Sequence, residues 1–193
     1  MTEPTPDLFL DAVLGFQKTA ALKAALALDL FTAVAQESGD LDRIAARTGA
    51  ALRGIRMLCD YLTVQGFLTK TQGRYGLTPS TEVFLTTTSP AWMGSIVEFM
   101  ASPEMISLWL DDPVSYVRNG GAVGLGSIAP DHPVWVKFAR AMGPFMRPTA
   151  QAVAQAVQGF PTLPKRVLDI AAGHGLFGIT LAEAISGAQI HGH

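Results

Sequence analysis

A single cysteine, Cys59, stands among 193 residues, so no internal disulfide can form and a reducing, cytoplasmic compartment suits the chain. Charge is also scarce. Lys, Arg, Asp and Glu make up 16% of the residues and the net charge is −2, which advertises neither a nucleic-acid nor an anionic-membrane partner. Four histidines and the one cysteine lie too far apart in sequence to form a metal-ligand cluster. A basic leader is missing as well, since the N-terminus carries Glu3, Asp7 and Asp11. The most apolar stretch, Ala20 to Ala35, is interrupted by Lys23 and Asp29. It falls short of the ~18 uncharged residues that a membrane span needs, and reads as a buried helix or helix pair.

Apolar residues, by contrast, are plentiful. They form 49% of the chain, enough for a core in one domain or two small ones. The most informative stretch lies near the end: Arg166-Val167-Leu168-Asp169-Ile170-Ala171-Ala172-Gly173-His174-Gly175-Leu176-Phe177-Gly178. Val167 to Ile170 reads as a strand, and Leu176 to Ile185 has apolar residues at helical spacing. Strand, glycine turn, helix is the opening unit of a doubly wound α/β domain, whose ligand sits at the carboxyl end of the strand. Two cofactor classes use such a turn. Gly173-x-Gly175-x-x-Gly178 fits the dinucleotide fingerprint, in which backbone N–H groups meet a pyrophosphate. Asp169, a carboxylate beside the turn, would repel a pyrophosphate and attract the ammonium and sulfonium of S-adenosylmethionine. At about 4 Å and an effective dielectric near 20 that interaction is worth roughly 4 kcal/mol, so its sign matters. Asp169 could instead simply hydrogen-bond the backbone of the turn.

Val-Leu-Asp-Ile-Ala-Ala-Gly-His-Gly resembles the first motif of class I S-adenosylmethionine-dependent methyltransferases, commonly Val-Leu-Asp-x-Gly-x-Gly-x-Gly. The departure is Ala171, where that family usually has its first glycine and where a Cβ disfavours positive φ. The resemblance implies S-adenosylmethionine as cofactor, with Asp169, Ala171, Gly173 and Gly175 around it.

Toward the N-terminus, Leu8, Leu10, Val13, Leu14 and Phe16 fall on a first helix starting near Pro6-Asp7. Thr19 to Leu28 is apolar nearly all round, which predicts burial on more than one side, either in a central core or under a second chain. Leu30 to Ala35 continues the helical pattern. Asp40 is placed to N-cap Leu41–Arg47, Thr48-Gly49 closes that helix, and Leu52 to Gln65 forms the next. Leu68–Lys70 and Arg74–Thr78 read as strands around Gln72-Gly73, completing a winged-helix pattern. Residues 1–88 hold eight Lys/Arg and nine Asp/Glu, a net of −1. The would-be recognition helix offers Arg53 and Arg56 amid mostly apolar residues, a face built for packing more than for reading a groove. Cys59 reads as a small core residue.

Gly66-Phe67-Leu68, Tyr75-Gly76-Leu77-Thr78-Pro79, Leu41-x-x-Ile44-Ala45-x-x-Thr48-Gly49 and Arg53-x-x-Arg56-x-Leu58 resemble the dimerisation domain of plant-type and bacterial small-molecule O-methyltransferases. The order of these motifs, with a methyltransferase motif downstream, carries the resemblance over most of the chain. It implies a homodimer through the N-terminal helices and a mainly α winged-helix dimerisation domain at 1–88. A helical connector lining the active-site side would follow at 89–160, and the beginning of an α/β Rossmann-like methyltransferase domain at 161–193.

Within the connector, Trp92–Met100 and Glu104–Leu110 read as helices. Gly120, Gly121, Gly124 and Gly126 mark a loop without P-loop spacing, and Asp131-His132-Pro133 reads as a helix start. The helix from Val134 carries Phe138, Met142, Phe145 and Met146 on roughly one face, as a core stripe would. In the family the matching helix lies over cofactor and substrate, which makes Met142 a cofactor-binding candidate. Pro161 to Pro164 reads as a linker.

Gln189-Ile190-His191 begins a second strand. The acidic residue that binds ribose hydroxyls is expected about twenty positions beyond the turn, and no Asp or Glu follows Glu183. The family's catalytic base is likewise expected beyond His193, and His174, His191 and His193 do not substitute for it. The expectation is therefore an S-adenosylmethionine-dependent O-methyltransferase acting on a small-molecule hydroxyl, truncated here and inactive as a fragment. An NAD(P)-dependent oxidoreductase and a non-enzymatic winged-helix regulator remain the alternatives. The small-molecule substrate is not legible.

Overall fold

The computed structural model describes residues 4–121 and 133–193. The loop glycines Gly124 and Gly126 and the helix start at Asp131-His132 lie outside these described residues. The chain divides into two compact units, residues 1–94 and 95–193, and each follows its own logic.

The first unit is a winged helix. Helix α1 runs unbroken over Asp7–Ala27, and α2 spans Leu30–Gln36. Between them Asp29 takes a left-handed φ of 49°, so the two helices bend by 60° instead of continuing as one pattern. Distant side chains hold that bend. The Thr87 hydroxyl donates to the Asp29 carboxylate at 3.2 Å, and the Thr87 N–H donates to Thr32 Oγ1 at 3.0 Å. The bend turns α2 into the interior, where Leu30, Phe31, Ala33 and Val34 are all buried. No single described helix is long and apolar enough to cross a membrane, although this bent pair passes such a test by length and composition together.

Helix α3, Leu41–Thr48, begins where the Asp40 carboxylate accepts the Arg43 N–H at 3.2 Å. It ends at Gly49, whose φ of 67° lets Ala50 N–H reach back to the Ala45 carbonyl at 3.2 Å. Helix α4, Leu52–Val64, presents Ile55, Cys59 and Leu62 to the core at successive turns. Strands β1, Leu68–Thr71, and β2, Arg74–Leu77, pair antiparallel around Gln72-Gly73. Both of those residues have positive φ, as a primed hairpin turn requires. The wing is stapled to α4: Tyr75 Oη–H donates to Asp60 at 2.8 Å and Lys70 reaches the same carboxylate at 2.5 Å. These contacts, Lys70 first, hold the Asp60 carboxyl below its ordinary range. Helix α5, Pro79–Leu85, follows, and the buried Thr81 hydroxyl donates to the Phe67 carbonyl at 2.8 Å.

The expected double-sided burial of Thr19–Leu28 is not met within one chain, because Ala25 is the sole fully buried residue of α1. The larger apolar surplus lies earlier on that helix. Leu8 is 87% exposed, Phe9 66% and Phe16 62%.

In the second unit, α6 covers only Ile96–Met100, where the apolar pattern had suggested a helix from Trp92. Gly94 is packed against the Trp92 indole, and Met93 N–H is spent on the Phe84 carbonyl at 2.8 Å, so Trp92–Ser95 turns. Helices α7, Pro103–Leu110, and α8, Pro113–Arg118, both start with proline, behind Ser102 and Asp112 as side-chain caps. Helix α9 spans Val134–Gln158 with Pro144 and Pro148 inside it. Its first half packs Val134 and Ala141 against Phe99 and Met105, and its second half packs Ala154 against later residues. Glu104 of α7 pairs with Lys137 of α9 at 2.6 Å, and that partner, first among several hydrogen bonds, pulls the carboxyl down to about 2. Strand β3, Arg166–Asp169, helix α10, Leu176–Ala184, and strand β4, Gln189–Gly192, then form a parallel β-α-β turn of an α/β layer. Leu181 and Ile185 of the α10 segment close onto Ala154, Val167 and Ile190. Leu168 and Ile170 point away from that core and are 62% and 74% exposed.

Gly39 has φ +71°, and a Cβ there would sit 1.9 Å from the Tyr75 carbonyl oxygen, against backbone that cannot step aside. Gly49 has φ +67° with open space around it. Gly39→Ala should therefore cost more than about 3 kcal/mol, and Gly49→Ala only the left-handed penalty of about 1–2 kcal/mol. Urea unfolding of the two variants reads the difference, and equal costs would contradict the close approach of wing and α3 start.

Candidate functional site

The turn from β3 into α10 gathers four of the five residues singled out in the sequence. β3 ends at Asp169, whose backbone carbonyl accepts the His193 N–H at 2.9 Å while Ala172 N–H donates to the His193 carbonyl at 3.1 Å. The end of β4 thus brackets the turn. Beyond it the backbone alternates in hand: Ala171 has φ 59°, Gly173 56° and Gly175 75°. Ala171 adopts the left-handed conformation in spite of its methyl group, where a glycine would do so without strain. Gly175 then caps α10, and its N–H folds back onto the Ala172 carbonyl at 2.8 Å.

Asp169 is half-buried at the base of the turn, and its Oδ2 accepts the Gly178 N–H at 3.1 Å. Backbone bonding and ligand binding are therefore not exclusive roles. One carboxylate oxygen is used to set the helix, and Oδ1 makes no hydrogen bond among the described residues. Gly178 makes that geometry possible. A Cβ there would meet Ile190 Cγ2 at 3.0 Å and Asp169 Oδ2 at 3.2 Å, so glycine lets α10 settle against both strands. Gly178 was legible as the third glycine of the fingerprint, and here it lets α10 pack closely against the strands.

A second side chain also works on the start of α10. His174 is exposed, and its Nδ1 accepts the Leu176 N–H at 3.3 Å. Helix starts ordinarily offer their first N–H groups to an anion. Here the N–H of Leu176 goes to an imidazole and that of Gly178 to a carboxylate, both supplied by the chain itself. A pyrophosphate arriving at this turn would find two donors occupied and a negative charge beside them. A ligand carrying positive charge would find a carboxylate with an oxygen to spare. This arrangement was not readable from the glycine spacing, because it depends on where a histidine ring points.

Met142, the fifth, lies on α9 and not in the turn. It is half-buried on α9, twelve residues before Ala154, where α9 meets α10. Met142 thus belongs to the half of α9 carrying Phe138, whose ring packs edge-on against Phe99 at 5.1 Å. A groove of about 430 Å³ runs along the flank of α9 and α10, lined by Gln151, Gln155, Gln158, Thr180 and Glu183 among others. It includes none of the turn residues. Among the described residues no group of His, Cys, Asp and Glu is placed to hold a metal ion.

Ala171→Gly and Gly178→Ala should move the stability of this layer in opposite directions. Relief of the left-handed alanine should stabilise by up to about 1 kcal/mol. A methyl forced between Asp169 and Ile190 should destabilise by about 1–3 kcal/mol. Hydrogen exchange at the Val167–Asp169 amides checks both, and a shift of the same sign in the two variants would refute the geometry.

Residues 10–87 match the family model for the O-methyltransferase dimerisation domain. Over 96 residues the chain is 33% identical to the 3-hydroxy-5-methyl-1-naphthoate 3-O-methyltransferase of Streptomyces sahachiroi, a match covering 50% of this chain and 28% of that one. A crystal structure from Nostoc punctiforme, described as an O-methyltransferase, superposes with a TM-score of 0.87 at 41% identity, over 99% of this chain and 57% of its own. PigF, solved with SAH, superposes with a TM-score of 0.74 at 25% identity, over 98% of this chain and 58% of its own. The chain therefore spans between about a quarter and three fifths of these relatives' lengths.

Proposed function

From the match of residues 10–87 to the O-methyltransferase dimerisation domain and the likeness to O-methyltransferase structures, we propose that this chain belongs to that family and that its β3–α10 turn holds S-adenosylmethionine for methyl transfer to a small-molecule hydroxyl. The observation that carries the reading is the use of the donors at the start of α10. Asp169 and His174 take the N–H groups that a dinucleotide phosphate would need, and Asp169 keeps an oxygen for a cation. The likeness to PigF, which was solved with SAH, supports the same ligand class.

When bound, S-adenosylmethionine supplies a methyl group made electrophilic by its sulfonium. The residues of this chain bind and orient it. Asp169 offers charge, the backbone at Ala171, Gly173 and Gly175 offers a surface of small residues that lets a ligand approach closely, and Met142 is the candidate apolar contact from α9. Residues 1–88 serve dimerisation, 89–160 the connector, and 161–193 the cofactor layer. Removing the acceptor's proton calls for a general base, and no residue of the turn is placed in that role.

In the full-length enzyme, calorimetry should show S-adenosylmethionine binding and no NAD binding, with Asp169→Ala weakening the former at least about tenfold, the loss of one close charge pair in partly screened surroundings. Binding of NAD instead, or an affinity unchanged by Asp169→Ala, would overturn the assignment.

Homodimerisation rests on the matched dimerisation domain and on the bare apolar face of α1, with Leu8, Phe9, Val13 and Phe16 exposed in the single chain. Burial of that face in a second copy would fit the large hydrophobic interfaces of obligate dimers. Sedimentation should show a dimer at micromolar concentration and a monomer for the Phe9→Glu, Phe16→Glu double variant. A wild-type monomer would refute it.

A further inference from the structure

We propose that His174 is a positioning residue whose neutral imidazole holds the turn in its cofactor-binding form, so that cofactor affinity depends on the protonation of this one side chain. The inference rests on the cofactor reading above and concerns how the same site is regulated. Its basis is the bond from Leu176 N–H to His174 Nδ1 at 3.3 Å. A nitrogen that accepts carries no proton, so the bond requires the neutral ring with its proton on Nε2. The contact spans two residues, the same reach by which an aspartate or asparagine closes a turn onto the backbone.

Protonation reverses each element of this arrangement. Nδ1 becomes a donor and must release the Leu176 N–H. The new positive charge then sits at the start of α10, where the helix dipole already presents its positive end. Both changes disfavour a ligand that is itself cationic at its sulfonium and ammonium, and both loosen the segment between Gly173 and Gly175 that is to meet it. Imidazoles change charge between roughly pH 5 and 8, within reach of cellular variation.

Other ionisable groups stand on the surrounding elements. Asp169 ends β3, with Lys165 and Arg166 at the opposite end of that strand. His191 lies in β4 and His193 just after it. Glu183 lies two turns further along α10, and α9 brings no charged residue between Arg147 and its end. Asp169 already engages the Gly178 N–H, and neither His191 nor His193 makes a side-chain hydrogen bond to the turn among the described residues. His174 is therefore the imidazole whose protonation state the turn geometry itself requires.

The test measures S-adenosylmethionine affinity by calorimetry from about pH 8 to about pH 5.5, the range of imidazole titration, on full-length wild-type protein and two variants. His174→Asn retains an acceptor at the same reach but does not titrate. His174→Ala removes the acceptor. The wild type should lose affinity by about threefold to tenfold across the range, the size of one backbone hydrogen bond. His174→Asn should match the wild type at the upper pH and change less than about twofold over the range. His174→Ala should bind weakly, by about the same threefold to tenfold, at every pH. A flat wild-type profile, or a His174→Asn profile that falls as steeply as the wild type, overturns the proposal while leaving the cofactor assignment intact. Absence of binding by the wild type at the upper pH overturns both.

Discussion

The second unit depends on one close approach: α10 lies so near the ends of β3 and β4 that the Asp169 carboxylate can accept a hydrogen bond from the Gly178 amide. Everything at the turn follows from that distance. A residue larger than glycine at 178 would press on Ile190 and on the carboxylate at once. With α10 in place, the chain between Asp169 and Gly175 has few residues in which to climb off the strand and enter a helix, and it does so through alternating left-handed positions. Ala171 accepts strain to keep that path. The carboxylate is thus a structural anchor through one oxygen and a candidate ligand contact through the other.

Much of this was legible in the sequence, for local reasons. Asp40 before Leu41 and Gly49 after Thr48 bound a helix because their own side chains and dihedrals set its ends. Gln72-Gly73 between two short strands gave the wing, and the glycine spacing after Val167–Asp169 gave the turn. What was missed depends on partners far along the chain. The break at Asp29 is held by Thr87, 58 positions away, and neither residue announces the other. Trp92–Ser95 has a helical pattern yet turns, because Met93 N–H pairs with Phe84 and the Trp92 indole packs over Gly94.

Helix α9 shows how two small cores can share one element. Pro144 and Pro148 remove the amide donors that the carbonyls of Arg140 and Pro144 would otherwise receive. The two apolar clusters lie on either side of that stretch, with Ala141 in one and Ala154 in the other. The helix therefore joins the α6–α7 layer to the β3–α10 layer through its least rigidly bonded segment. The Ser95 hydroxyl, donating to the Ala141 carbonyl at 3.3 Å, secures the near side of it.

Cys59 sits at the centre of the winged unit, fully buried, and burial first, then the nearby Asp60 charge, pushes its thiol up to about 12. A thiol so placed stays protonated and out of reach of alkylating reagents while the unit is folded. As the sole cysteine of the chain, it makes the protein its own reporter. The rate at which a maleimide consumes it measures how often the winged core opens. The same silence leaves the surface clear for one engineered thiol, whose attached dye would have a single address.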